Sequence, residues 1–277
     1  MIEYPNCKIN LGLSVVRQRE DGYHDLETVF VPVPLCDELE IVPAENFSFR
    51  QTGINIDCYP EDNVVVKAFR MMQRECGSRL PDVEIVLRKR IPFGAGLGGG
   101  SSDAAFTLKM LNKMFDLELD NGSLRNLATK LGADCAFFID NEVAFATGIG
   151  DQLTPLGFNP LKGYKLVLVK PDEGVSTAEA YRGIVPRERR SNVVCCDLRN
   201  AVKKPISDWK DMIINDFEET VFASHPRLSN IKQRLYNCGA LYAAMSGSGA
   251  TVFGVFEQDT VVNDRFDGDC NIFEFNI

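Results

Sequence analysis

The chain has 277 residues, of which 45% are hydrophobic and 25% charged, and its formal net charge is −9. That length suits one large domain or two ordinary ones with a real buried core. The acidic balance argues against a general nucleic-acid binder, and no apolar run is long enough to span a membrane. The opening MIEYPNCKIN lacks the basic-then-apolar pattern of a signal peptide. The expected setting is therefore the cytoplasm, with neither a membrane nor a nucleic-acid partner. The nine cysteines include no Cys-x-x-Cys pair, and Cys195 and Cys196 are adjacent, which is poor disulfide geometry. They read as reduced thiols with no structural zinc site.

In chain order, Cys7–Val16 predicts a strand. Cys7, Ile9, Leu11, Leu13 and Val15 fall on one face, and Lys8, Asn10 and Gly12 on the other. REDGYHD is a turn, and LETVFVPV, DELEIVP and FSFRQTG follow as strands. Asn63–Gly77 predicts a helix, with Val65, Phe69, Met72 and Cys76 at helical spacing. PDVEIVLRKR is a strand. After the glycine-rich stretch PFGAGLGGGSSDAA comes a helix over roughly Asp103–Phe115, striped by Ala104, Leu108, Leu111 and Phe115. A second helix runs from an N-cap at Ser123 to Leu131 and stops at Gly132.

EVAFATG is a strand. YKLVLVKP restarts the pattern, which sets the domain boundary near residue 155 (1–155 and 156–277). STAEAYRGI starts a helix capped by Ser176 or Thr177. Residues from about 183 to 208 carry no assignable pattern. RLSNIKQRLYNCGA is an amphipathic helix, and LYAAMSGSGATVFGVFE reads as strand, Gly-Ser-Gly turn, strand.

The order strand, glycine loop, helix suits an anion, because bare backbone N–H groups and a helix N-terminus can both face it. The loop is not a P-loop, since Ser-Ser-Asp follows the glycines and no lysine comes before Lys109. A Rossmann match through Gly94, Gly96 and Gly99 is loose and sits in the wrong part of the chain. Lys8 and Asn10 lie about 7 Å apart along one strand face. A lone lysine there is ordinarily solvated, though it can also stabilise phosphate charge. The Tyr23–His24 pair is equally a turn exit or a ring-binding site. Asp134, just past a helix stop, is by itself more often a cap or turn residue than a base.

Taken together, these motifs resemble the GHMP kinases, the superfamily of galactokinase, homoserine kinase and mevalonate kinase. PFGAGLGGGSSDAA is similar to their phosphate-binding loop. The lysine–asparagine strand, Asp-Gly-Tyr-His, Leu-Gly-Ala-Asp, Gly-Val-Ser-Thr and Ser-Gly-Ser-Gly are similar to the branch that acts on a cytidine diphosphate-linked methylerythritol. The resemblance covers most of the chain and is weakest over about 183–235 and at the C-terminus. It implies an α+β protein of two domains, an N-terminal ATP-binding domain and a C-terminal substrate domain with an antiparallel sheet. Its expected reaction is ATP-dependent phosphorylation of the substrate's 2-hydroxyl.

Residue by residue, the resemblance makes Asp134 the base and Lys8 its partner at the transferring phosphoryl group. It assigns Asn63, Lys89, Pro92, Gly94, Gly96, Leu97, Gly98, Gly99, Gly100, Ser101 and Ser102 to ATP. It assigns Asn10, Tyr23, His24, Phe30, Asp134, Thr177 and Tyr181 to the substrate, with Tyr23 and Tyr181 on opposite faces of the cytosine. Gly247–Gly249 would pack near the substrate. Mg²⁺ is expected with ATP, although no acidic cluster has ligand spacing and only the Ser101 hydroxyl is a candidate donor. Asp103 stands where some relatives have asparagine and is expected to point away from the phosphates. Either a monomer or a homodimer fits. Two rival readings are another small-molecule kinase of the superfamily and a degenerate nucleotide sensor. The Tyr23, His24 and Tyr181 rings disfavour the first, and the presence of both Lys8 and Asp134 disfavours the second.

Overall fold

The structure is a computed structural model that describes residues 1–55, 59–189, 197–262, 266 and 270–277. Cys195 and Cys196, and the reading of them as thiols, lie outside the described residues. The first half of the chain forms β1 (Ile2–Glu3), β2 (Asn6–Gln18), β3 (His24–Cys36), β4 (Glu38–Pro43), β5 (Ser48–Gly53), α1 (Val64–Cys76), β6 (Val83–Lys89), α2 (Gly99–Met114), α3 (Asn121–Leu131) and α4 (Phe137–Asp140). The second half forms β7 (Ala144–Thr147), β8 (Gln152–Pro155), β9 (Tyr164–Pro171), α5 (Thr177–Tyr181), α6 (Leu198–Ala201), α7 (Phe217–Ser224), α8 (Pro226–Asn237), β10 (Tyr242–Met245), β11 (Val252–Glu257) and β12 (Cys270–Asn276).

Contacts divide the chain into two compact units, neither a single stretch of sequence. Unit 1 comprises 1–8, 34–93 and 98–142, and unit 2 comprises 9–33, 94–97 and 143–277. Unit 1 holds a sheet in the order β1-β4-β6-β5, in which β4 pairs antiparallel with β1 and β6, and β5 runs parallel to β6. Helices α1 and α2 pack together, and α1 buries Val65, Phe69 and Met72 completely. Burial of that kind is worth about 1.5–3 kcal/mol for each large apolar side chain. Unit 2 holds the all-antiparallel sheet β10-β11-β9-β12. Most of a second sheet, β2-β3-β7-β8, also lies in it. Val167, Val169, Phe217, Leu228, Ile231, Leu235 and Val252 form its core.

Three local readings change. First, α2 begins at Gly99, not near Asp103, because Gly98 at φ +68° turns the chain directly into the helix. The glycine run therefore supplies the first helical turn itself. Second, α3 is capped by Asp120, whose carboxylate accepts from the Ser123 N–H, so Ser123 is inside the helix. Third, Lys8 and Asn10 are not on a solvated face. β2 is buried from Asn6 to Val15 on both faces, with Lys8 and Asn10 among the buried polar residues. The structure also adds α4, α7 and β12, for which the sequence pattern was not read.

Candidate active site

In unit 1 the Lys8 Nζ lies 3.2 Å from Asp134 Oδ2, with side-chain exposures of 3% and 31%. A lysine this deeply buried is held by specific partners, since an unpaired ammonium in such a place is costly. Asp134 sits in a single 3-10 turn, Ala133–Cys135, after the Gly132 stop of α3. Burial pushes the neighbouring Cys135 thiol up to about 12, with the Ser101 hydroxyl pulling weakly the other way. Cys135 is thus a neutral packing group at physiological pH.

Helix α2 opens beside this pair. Its first backbone bond runs from Ser102 N–H to Gly98 C=O, which leaves the N–H groups ahead of it without helical acceptors. The Ser102 hydroxyl is fully buried and has no hydrogen-bond partner. A Cβ on Gly98 would lie 3.1 Å from Lys8 Cε and 3.2 Å from a Phe138 ring carbon, and φ there is +68°. Only glycine lets the loop lie along the lysine stem. Sixteen residues of α2 direct the positive end of their dipole toward this turn.

Behind the loop Lys89 is locked between two carboxylates, Asp37 and Asp103, and the three side chains are 2%, 0% and 1% exposed. Asp103 Oδ2 is 2.7 Å from the ammonium. Asp37 also accepts from the backbone N–H groups of Arg90 (2.5 Å) and Ile91 (2.9 Å), at the entrance to the loop. Burial drives the Asp103 carboxyl well above its usual range, and the pull of Lys89 offsets this only in part. Burial alone would lower Lys89, but the charges of Asp103 and Asp37 outweigh it and raise its pKa. Asp103 is therefore turned inward onto Lys89. The Lys89 side chain, assigned to ATP by resemblance, is used internally and leaves only its backbone for a ligand. Asn63 is the N-cap of α1, its Oδ1 accepting from Val65 N–H and its Nδ2 donating to Gln51. Pro92 is half-buried.

In unit 2 lie the front of the glycine loop and most of the expected substrate residues. The Ser246 hydroxyl donates to Gly96 C=O at 2.9 Å and accepts from Asn10 N–H at 3.2 Å. The Thr251 N–H donates to Ala95 C=O. A Cβ on Gly96, where φ is +71°, would overlap the Ser246 carbonyl. The Ser-Gly-Ser-Gly turn therefore braces residues 95 and 96, and Leu97 is buried while Gly94 is exposed. The Asn215 amide donates to the Met245 and Gly247 carbonyls at 2.8 Å each, which holds that turn in place. The Asn10 amide donates to Thr28 Oγ1 at 2.9 Å, and Phe30 is buried two residues further along β3.

The ring that lies on Tyr181 is His24, with centroids 4.7 Å apart and planes at 23°. Tyr23 is 62% exposed. Phe217 meets Tyr181 edge-on at 4.8 Å. Burial, helped by the Arg189 charge, lowers the His24 pKa, so this ring is neutral at physiological pH. Thr177 Oγ1 is 3.5 Å from Ser248 Oγ, which ties the start of α5 to the glycine-serine turn. The sequence pattern does not point to Thr28, Asn215, Asp37, the partners of Ser246 or the inward role of Lys89. Their partners lie far apart in the chain, so no local spacing announces them.

Residues 63–148 match the family model described as GHMP kinases N terminal domain, and residues 198–265 match GHMP kinases C terminal. The fold and its loop are thus those of the GHMP kinase class. A protein of Parabacteroides distasonis named 4-diphosphocytidyl-2-C-methyl-D-erythritol kinase is 48% identical over 99% of this chain and 98% of its own. A Bacteroides thetaiotaomicron protein of the same name is 48% identical over the same shares. A solved crystal structure of 4-(cytidine 5'-diphospho)-2C-methyl-D-erythritol kinase superposes with a TM-score of 0.76 at 34% identity, covering 93% of this chain and 91% of that one. The Methanococcus jannaschii mevalonate kinase reaches the same TM-score at 14% identity over 99% and 97% of the two chains, a likeness of fold alone. At these identities over nearly the whole length, the chain belongs to the 4-diphosphocytidyl-2-C-methyl-D-erythritol kinase family of GHMP kinases.

Proposed function

We propose that the protein transfers the γ-phosphoryl group of ATP to the 2-hydroxyl of 4-diphosphocytidyl-2-C-methyl-D-erythritol, giving the 2-phosphate and ADP. This is a step of the methylerythritol phosphate route to isoprenoid precursors. The observation that carries the reading is the buried Lys8 ammonium, 3.2 Å from a carboxylate that keeps partial access to solvent, beside the α2 N-terminus. Asp134 takes the hydroxyl proton as the new O–P bond forms and the bond to the β-phosphate oxygen breaks. Lys8 fixes the carboxylate's orientation and offsets charge on the transferring group. Residues Gly98–Ser101, ahead of the first helical bond, offer backbone donors to the ATP phosphates, and the buried Ser102 hydroxyl stands in the same first turn. Positioning and charge neutralisation dominate such transfers, so no covalent intermediate is needed.

His24 and Tyr181 hold the cytidine end, joined by Tyr23, while Thr177, Asn10 and Phe30 shape the rest of the substrate site. Among the described residues no group of three His, Cys, Asp or Glu is placed to hold a metal. Mg²⁺, which neutralises phosphate charge, would thus rest on ATP and water, with the Ser101 hydroxyl as protein donor. Among the described residues no helix is long and apolar enough to cross a membrane. We place the enzyme in the cytoplasm with a small-molecule substrate and no nucleic-acid partner. The test is a coupled assay of ADP release. Release is expected with the cytidine-linked alcohol and absent with homoserine or galactose. Release driven by homoserine or galactose alone contradicts the reading.

A further inference from the structure

His225 stands between α7 and α8, and both of its ring nitrogens face carboxylates. Nδ1 is 3.1 Å from Glu173 Oε2 and Nε2 is 3.0 Å from Glu179 Oε1. An ionised carboxylate only accepts, so each nitrogen must carry a proton to bond both partners, which makes the ring an imidazolium. Glu173 follows β9, and Glu179 is in the middle of α5. The other Glu173 oxygen is buried and has no hydrogen-bond partner. Helix α5 has only five residues, too few to be stable by itself. It is held by the Ser176 cap, by Thr220 Oγ1 donating to Ala180 C=O, and by the bond that His225 Nε2–H donates to Glu179. Thr177 and Tyr181, the two residues placed at the substrate, are the ends of this helix.

We propose that His225 is a positioning residue for the cytidine site, an imidazolium that clamps α5 through Glu179 and Glu173, and that losing its second proton loosens the grip on the cytidine end. The proposal rests on the reading that Thr177 and Tyr181 touch substrate. The other charged groups around the clamp are Lys170, whose ammonium donates to the Pro171 and Glu173 carbonyls, the Asp172–Arg227 pair at 2.6 Å, and Arg182 beside Glu179. Hydrogen bonding to Glu179 raises the His225 pKa, burial opposes this, and Glu173 adds to the rise. The charged clamp is therefore complete below the ordinary value of 6.5 and is lost as pH climbs through the higher folded value. His24, shifted the other way, is already neutral in that window.

The test measures kcat and KM for both substrates from pH 6 to pH 9, alongside the ring-proton NMR titration of the two histidines. KM for the cytidine-linked alcohol is expected to rise about five-fold through the His225 titration, the scale of one partly exposed ion pair. KM for ATP does not follow it. His225→Gln is expected to give a high, pH-independent cytidine KM with kcat retained. Glu179→Ala, which removes one arm and keeps the histidine, is expected to raise the cytidine KM and flatten its pH profile, and serves if the first variant does not fold. A flat wild-type cytidine KM across the observed His225 titration overturns the clamp. Tyr181→Ala separates the two ideas. If it leaves the cytidine KM unchanged, the placement of Tyr181 at the substrate fails and the clamp with it. If it raises KM while the wild-type profile is flat, the clamp alone fails.

Discussion

Replacing Lys89 with methionine is the most informative perturbation of the phosphate loop's support. The side chain is nearly the same length and apolar, so packing is largely kept while the charge goes. Lys89, Asp37 and Asp103 are at most 2% exposed, so two carboxylates would be left facing each other without a cation. Breaking a buried ion pair from one side costs about 3–5 kcal/mol. In a chain of this size that lowers Tm by about 10 °C. Asp37 also grips the Arg90 and Ile91 N–H groups, so the loop entrance shifts and KM for ATP rises. Asp103→Asn is the control. Asp103 Oδ2 bonds the Lys89 ammonium, and the carboxyl also meets Asp37, so the amide keeps a neutral acceptor for Lys89 beside the remaining Asp37 charge and the variant loses about 1.5–3 kcal/mol, the scale of a hydrogen bond to a charged group. Thermal and urea unfolding followed by circular dichroism measure both. A Lys89→Met protein within about 1 kcal/mol of wild type would refute the view that this cluster holds the loop.

Two further outcomes follow from the same geometry. Gly96→Ala drives a Cβ into the Ser246 carbonyl at φ +71° and is expected to abolish ATP binding and lower Tm, whereas Gly94→Ala, whose Cβ meets nothing, costs only the backbone strain of about 1–2 kcal/mol. Equal effects in a nucleotide-binding titration would argue against the brace. Thr28→Val removes a buried hydroxyl that accepts from Asn10 and donates to Gly12 C=O. A stability loss of about 1–3 kcal/mol is expected in urea unfolding, with a raised KM for the cytidine substrate.

Elements with a clear period were legible in the sequence. α1, β6, β9, α8 and the β10–β11 pair stand where alternation or helical spacing put them. The start of α2 was not, because propensity disfavours glycine in a helix. Here the glycines are needed for close approach to Lys8 and for open backbone donors. Burial on both faces of β2 was hidden for a different reason. The partner that makes a buried Lys8 tolerable, Asp134, sits in a turn far along the chain, and alternation reports only neighbours. The Asp37–Lys89–Asp103 cluster joins the link between β3 and β4, the last residue of β6 and the body of α2. The stacked pair His24–Tyr181 joins a strand end to a five-residue helix. Both are products of tertiary packing with no signature in spacing. Family resemblance supplied the candidate residues, and tertiary packing decides which of them face one another.

The central claim is that Asp134, oriented by Lys8, takes the proton from the acceptor hydroxyl. The direct measurement is Asp134→Asn in the ADP-release assay, with ATP and cytidine-substrate binding measured on the same protein. The carboxamide keeps the shape and loses the charge. The account predicts that both ligands still bind and that turnover falls by about 10²–10⁴-fold, the range for a positioned general base. Turnover within a few-fold of wild type would remove Asp134 from the mechanism.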